Sequence, residues 1–128
     1  MDDWINIPKD INEYQGFVYQ ITNLLDGRMY IGKKNFWKIK KLKPLKGRKN
    51  KRHFKVETDW KSYTGSCNEL NTDIKKLGLK NFKKEILKCF TCKWDLNYAE
   101  AELQFHLGVL LDDYYYNGII QVRLGKKK

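Results

Sequence analysis

Long apolar runs are missing from this chain, and none approaches the ~20 residues that a membrane-spanning helix needs. No membrane contact is therefore expected. The opening MDDWINIPKD lacks the basic start and apolar middle of a secretory signal, so a cytoplasmic protein is expected. Cysteine is scarce and odd in number, three in 128 residues. That argues against a disulfide framework and suits a reducing compartment. Cys89 and Cys92 are spaced C-x-x-C, but a structural zinc site wants four ligands, and Cys67, His53 and His106 are scattered. A redox pair lacks a thioredoxin-like setting. The common phosphate-loop, serine-hydrolase and zinc-protease motifs are absent too. With no internal repeat, the length predicts one domain over 1–128 with a modest core.

One absence is local and more telling. From Lys33 to Lys55 there is no acidic residue, yet twelve Lys and Arg stand there. Taking those twelve from the total of 26 leaves 14 cations against 15 acids, so the whole net charge of +11 comes from one segment. Such a block repels itself unless an anion neutralises it, and nucleic acid phosphate is the usual partner. The basic insert is placed at 34–58. Its candidate DNA contacts, with the preceding lysine, are Lys33, Lys34, Lys38, Lys40, Lys41, Lys43, Lys46, Arg48, Lys49, Lys51, Arg52 and His53. Phe36, Trp37 and Ile39 are interleaved with them, either to stack on bases or to anchor the segment to the body. A solvated basic loop is the plainer alternative. The first part of the insert could form a short helix, ended by Pro44 and Gly47, with a loop from Gly47 to Lys55.

What precedes the insert is a hairpin signal. Two apolar, aromatic and β-branched runs flank Asp26-Gly27 within GFVYQITNLLDGRMYIGKKN. A type I′ turn there would set Tyr30 opposite Asn23 and Lys34 opposite Tyr19. Side chains alternate along a strand, so Tyr19, Ile21 and Asn23 share a face with Tyr30, Gly32 and Lys34. Two phenols and a lysine beside a glycine could be a site, although such a face is more often simply core.

The remaining elements follow from local signals. Residues 1–14 read as an arm packed on the domain. Ser66 and Glu69 make a capping box, predicting a helix at 67–77 closed by Gly78. A strand is expected over 81–90, with Phe82, Ile86 and Phe90 apolar, and a helix over 96–111 with Asp95 as N-cap. Glu100 and Glu102 on that helix project about 200° apart, so they cannot both serve one site. A carboxylate beside an apolar face needs a cation or a metal. A last strand is expected at 119–124 and a basic tail at 125–128.

The blocks Phe17-Val18-Tyr19 and Tyr30-Ile31-Gly32 resemble the paired motif of the GIY-YIG nucleases. The likeness extends through Gly32-Lys33-Lys34, Trp60-x-x-Tyr63-x-Gly65-Ser66, Tyr98-x-Glu100-x-x-x-Gln104 and Tyr115-Tyr116-Asn117, and is nearest to small phage-encoded members. It implies an α+β fold, a small three-stranded antiparallel sheet flanked by helices, with the basic insert after the first hairpin. It further implies metal-dependent DNA phosphodiester hydrolysis. Tyr19 would activate water, Tyr30 would position it, and Glu100 would hold Mg²⁺ or Mn²⁺, with Glu102 as fallback. Asn117 would support the site. The family arginine has no clear counterpart, since Lys40 falls near its place; Arg48 and Arg52 are candidates, and Lys33 or Lys34 stand-ins. A separate targeting domain is not evident, so a dimer or partner could supply specificity. The alternatives are a nucleic-acid-binding domain without catalysis, and a zinc or redox protein built on Cys89 and Cys92.

Overall fold

A computed structural model describes residues 4–47 and 52–127. The fold is α+β. The elements run β1 (Trp4–Ile5), β2 (Gly16–Asn23), β3 (Met29–Asn35), β4 (Trp37–Leu42), β5 (Arg52–Glu57), α1 (Asn68–Leu77), β6 (Phe82–Phe90) and α2 (Lys93–Leu107).

The main sheet has the order β1-β6-β2-β3, and β4 and β5 form a separate two-stranded ribbon. β2 runs antiparallel to both β6 and β3, whereas β1 runs parallel to β6. The sheet is thus mixed and four-stranded, because the N-terminal arm adds a short strand to the expected three. Strand β2 lies between β6 and β3 and is largely buried, as its apolar and aromatic run from Phe17 to Tyr19 with Ile21 requires.

The hairpin turn differs from the expected one. Tyr19 pairs with Gly32 and Ile21 with Tyr30, a shift of two residues from the type I′ register. Asn23 causes it. Its Oδ1 accepts the Leu25 N–H at 2.9 Å, and its carbonyl accepts the Gly27 N–H at 2.8 Å. This starts the loop two residues earlier, and only Gly27 of the Asp-Gly pair takes a positive φ. A shift of two leaves the faces unchanged.

One face of the sheet carries the larger core, in which Phe17, Tyr19 and Ile21 pack with Trp4, Phe36, Trp60, Leu70 and Ile86. The other face holds Val18 and Ile31 against Leu96 and Val109, from α2 and the turn after it. A bulge on β6 opposite Val18 and Tyr19 reverses the side-chain alternation. Phe82 and Ile86 therefore reach the first core and Phe90 the second.

Three local expectations give way. The insert forms ribbon strands at 37–42 and 52–57, where a helix and a loop are expected. Phe36 and Trp37 are anchors, with Phe36 fully buried and the Trp37 indole donating to the Ile11 and Tyr14 carbonyls. Helix α2 begins at Lys93 with Cys92 as N-cap and ends at left-handed Gly108, rather than spanning 96–111. No strand forms at 119–124. On the outer edge of β3, Asn117 accepts the Ile31 N–H at 3.0 Å and donates to the Ile31 carbonyl at 2.8 Å, occupying groups that a further strand would need. Among the described residues, no helix is long and apolar enough to cross a membrane.

Candidate functional site

Strand β3 is the edge strand of the sheet, and the site wraps around it. Tyr19 projects from β2 across its cross-strand partner Gly32. A Cβ built on Gly32 would lie 2.5 Å from the Tyr19 hydroxyl and 3.0 Å from Tyr30, so glycine is what lets the phenol pass. Gly65 has a φ of +85° and would bring a Cβ within 3.1 Å of both tyrosines. From the opposite face of the sheet, α2 brings Glu100 and Gln104. These residues and Lys33 line one cleft of about 300 Å³ with Tyr19, Tyr30, Tyr63 and Ser66. Two core faces thus contribute to one cavity.

Each group in the cleft is held. Tyr63 meets Tyr19 edge-on, with ring centroids 6.3 Å apart. Ser66 lines the cleft beside the Tyr30 phenol and eases its ionisation. It does not cap α1, whose N-cap, Cys67, makes no side-chain capping bond. Glu69, the other half of the expected capping box, instead pairs with Arg28 at 2.5 Å. Gln104 is buried and donates from Nε2 to the Ile31 carbonyl at 2.9 Å. Lys33 Nζ lies 3.8 Å from Glu100 Oε1 and also donates to Asn97.

The electrostatics are those of a cleft short of positive charge. Burial raises the Tyr19 phenol well above its ordinary value, and Tyr30, Tyr63 and Glu100 add to the rise. Tyr30 is raised by burial and partly relieved by Ser66. Burial also raises Glu100, against an opposing pull from Lys33. Lys34 does not ease Tyr19. It is opposite Phe17, pairs with Asp59 at 2.8 Å and lies 4.1 Å above the Tyr63 ring.

The other candidates lie elsewhere. Asn117 sits behind β3 and braces Ile31 without lining the cleft. Glu102 is exposed and borders a different cleft with Lys88, Cys89 and Tyr98, so the two glutamates diverge as their spacing requires. Arg48, Lys49 and Lys51 lie outside the described residues, as does the side chain of Arg52. Lys38, Lys40, Lys41 and His53 are exposed on the ribbon, with Lys43 and Lys46 just beyond β4. Among the described residues, Lys33 is the one cation lining the cleft. Cys89 is raised by burial, which disfavours a reactive thiolate. Tyr63, Ser66 and Gln104 were not among the candidate catalytic residues. The signal for them was the W-x-x-Y-x-G-S spacing and the glutamine one turn after Glu100.

Among the described residues there is no group of three or more His, Cys, Asp or Glu able to hold a metal. Glu100 is a lone, largely buried carboxylate whose neighbouring cation stands 3.8 Å away. One carboxylate with a phenol and an amide nearby suits a hard dication that keeps most of its water shell, and does not suit a dehydrated protein cage.

Comparison with known proteins gives the following. A family model described as "Putative endonuclease segE, GIY-YIG domain" matches residues 4–120. The protein described as "Putative endonuclease segD" of Enterobacteria phage T4 is 32% identical over 98 residues, covering 77% of this chain and 35% of that protein. The chain therefore spans about a third of the length of that relative. No solved structure matches significantly.

Proposed function

Because the chain belongs to the GIY-YIG endonuclease family, we propose that it hydrolyses DNA phosphodiester bonds with a divalent metal at the β3-edge cleft. The observation that carries this reading is the meeting of Tyr19, Tyr30, Lys33 and Glu100 in one cavity. Glu100 would hold Mg²⁺ or Mn²⁺, and such an ion, when bound, supplies charge to the phosphate and the leaving oxygen.

The chain's own groups do the rest. The Tyr30 phenol, with Ser66 beside it, orients the attacking water beside the phosphate. Water oxygen bonds to phosphorus as the bond to the leaving ester oxygen breaks, and the water proton passes to Tyr19. Tyr19 can take that proton only as phenolate, which burial opposes. Its deprotonation is therefore coupled to positive charge arriving in the cleft. The Lys33 ammonium answers the charge that develops on the phosphoryl oxygens. Asn117 and Gln104 position the site by fixing Ile31 between Tyr30 and Gly32.

Incubating purified protein with supercoiled plasmid and Mg²⁺ or Mn²⁺ tests this. Nicking or linearisation is expected, with loss of cleavage but retained DNA affinity in Glu100→Gln. DNA binding with no cleavage under either ion would favour binding without catalysis, the reading to which the raised Tyr19 phenol lends some support.

A further inference from the structure

The cleft does not close at Lys33 and Tyr63. Both side chains also line a second depression of about 540 Å³, whose other walls include Lys34, Trp37, Lys38 and Lys93. Lys33 and Tyr63 are walls of both hollows, so the second is a trough adjoining the cleft on the side of Trp37 and the start of α2. Among the described residues, four lysines and no carboxylate line this second part. Lys33 and Lys34 are partly answered by Glu100 and Asp59. Among the described residues, Lys38 and Lys93 form no ion pair, and both are exposed.

The aromatic wall is not a base-stacking platform. The Trp37 indole N–H is committed to two carbonyls, and Lys55 Nζ lies over its ring at 4.4 Å. What remains to recognise a ligand is positive charge, which suits a backbone phosphate. A strand whose scissile phosphate sits by Tyr30 and Glu100 must leave that cleft, and the hollow on the other side of Tyr63 offers it positive charge.

We propose that the trough seats the phosphate next to the scissile one, held by Lys38 and Lys93, with Tyr63 as the partition between the two positions. This rests on the nuclease reading above. The ribbon then has a local task, because β4 carries Lys38 to the side of the trough facing Lys93.

The test has two arms. Fluorescence anisotropy in the Glu100→Gln background measures duplex affinity against salt, with and without Lys38→Ala and Lys93→Ala together. The slope of log affinity against log salt should fall by about 0.9, the release expected for one neutralised phosphate. In the second arm, single methylphosphonates are walked along the strand around a mapped cut. One linkage flanking the cut should slow the wild type at subsaturating DNA and have no further effect on the double variant. An unchanged salt slope, or a methylphosphonate penalty that persists in the double variant, overturns the subsite. The expected slope change in the double variant, with a wild type that never cuts, would sink the nuclease reading while leaving Lys38 and Lys93 as a phosphate contact.

Discussion

Glu100 and Tyr19 are both held in states that cost something. Burial raises Glu100 against the pull of Lys33, and its side chain is only 13% exposed. A carboxylate whose folded pKa is raised weakens the fold while ionised, and this penalty fades as pH falls through that folded pKa. Glu100→Gln should therefore stabilise the metal-free protein at neutral pH by about 1 kcal/mol, raising Tm by a few degrees. A calorimetric scan in EDTA checks this. A lowered Tm would mean that the Lys33 contact outweighs desolvation. For Tyr19 the sign runs the same way, since the phenolate is the disfavoured charged form. Single-turnover cleavage should climb with pH, by up to about tenfold per unit, until the Tyr19 phenol of the loaded cleft is ionised. A rate that does not change with pH would remove Tyr19 as the base.

At the scale of elements, the hairpin and the segment after α2 bear on one strand. Gly32 gives the Tyr19 ring its passage, and that ring is buried in the core and cannot step aside. Gly32→Ala should cost about 1–3 kcal/mol through overpacking and slow cleavage strongly. Urea unfolding and cleavage rates measure the two effects, and a variant of native stability and rate would contradict the close approach. Asn117 supplies the acceptor for the buried Ile31 N–H. Asn117→Ala should cost about 1–3 kcal/mol, the toll of an orphaned buried donor, and should speed exchange of the Ile31 amide. Unchanged protection of that amide would show that another group carries it.

The same elements explain what could be read from the chain alone. The tyrosine face was legible because strand alternation survives a register shift of two. The turn was not, because Asn23 bonds its own backbone and starts the loop early. The ribbon's two short alternations, Trp37–Lys40 and Phe54–Glu57, were hidden because lysines fall on both of its faces and outnumber the apolar residues around them. Ser66 and Glu69 fit a capping box by spacing, yet Cys67 is the N-cap and Glu69 pairs with Arg28. The end of the chain has strand-like composition, but the Asn117 side chain fills the sheet edge first.

For the whole molecule, the decisive feature is that the cleft borrows from both cores. Tyr19 comes through one face of the sheet and Glu100 from the helix on the other, and they meet only because β3 is an edge strand with glycine at position 32. If they act as one site, their losses cannot be independent. The most direct measurement is single-turnover cleavage of one DNA duplex in Mg²⁺ by Tyr19→Phe, Glu100→Gln and the double variant, with affinity followed in parallel. The double variant should be no more than a few-fold slower than the worse single variant, all three binding DNA about equally. Losses that multiply in the double variant would mean that the two residues work separately, and would contradict a single site at the β3 edge.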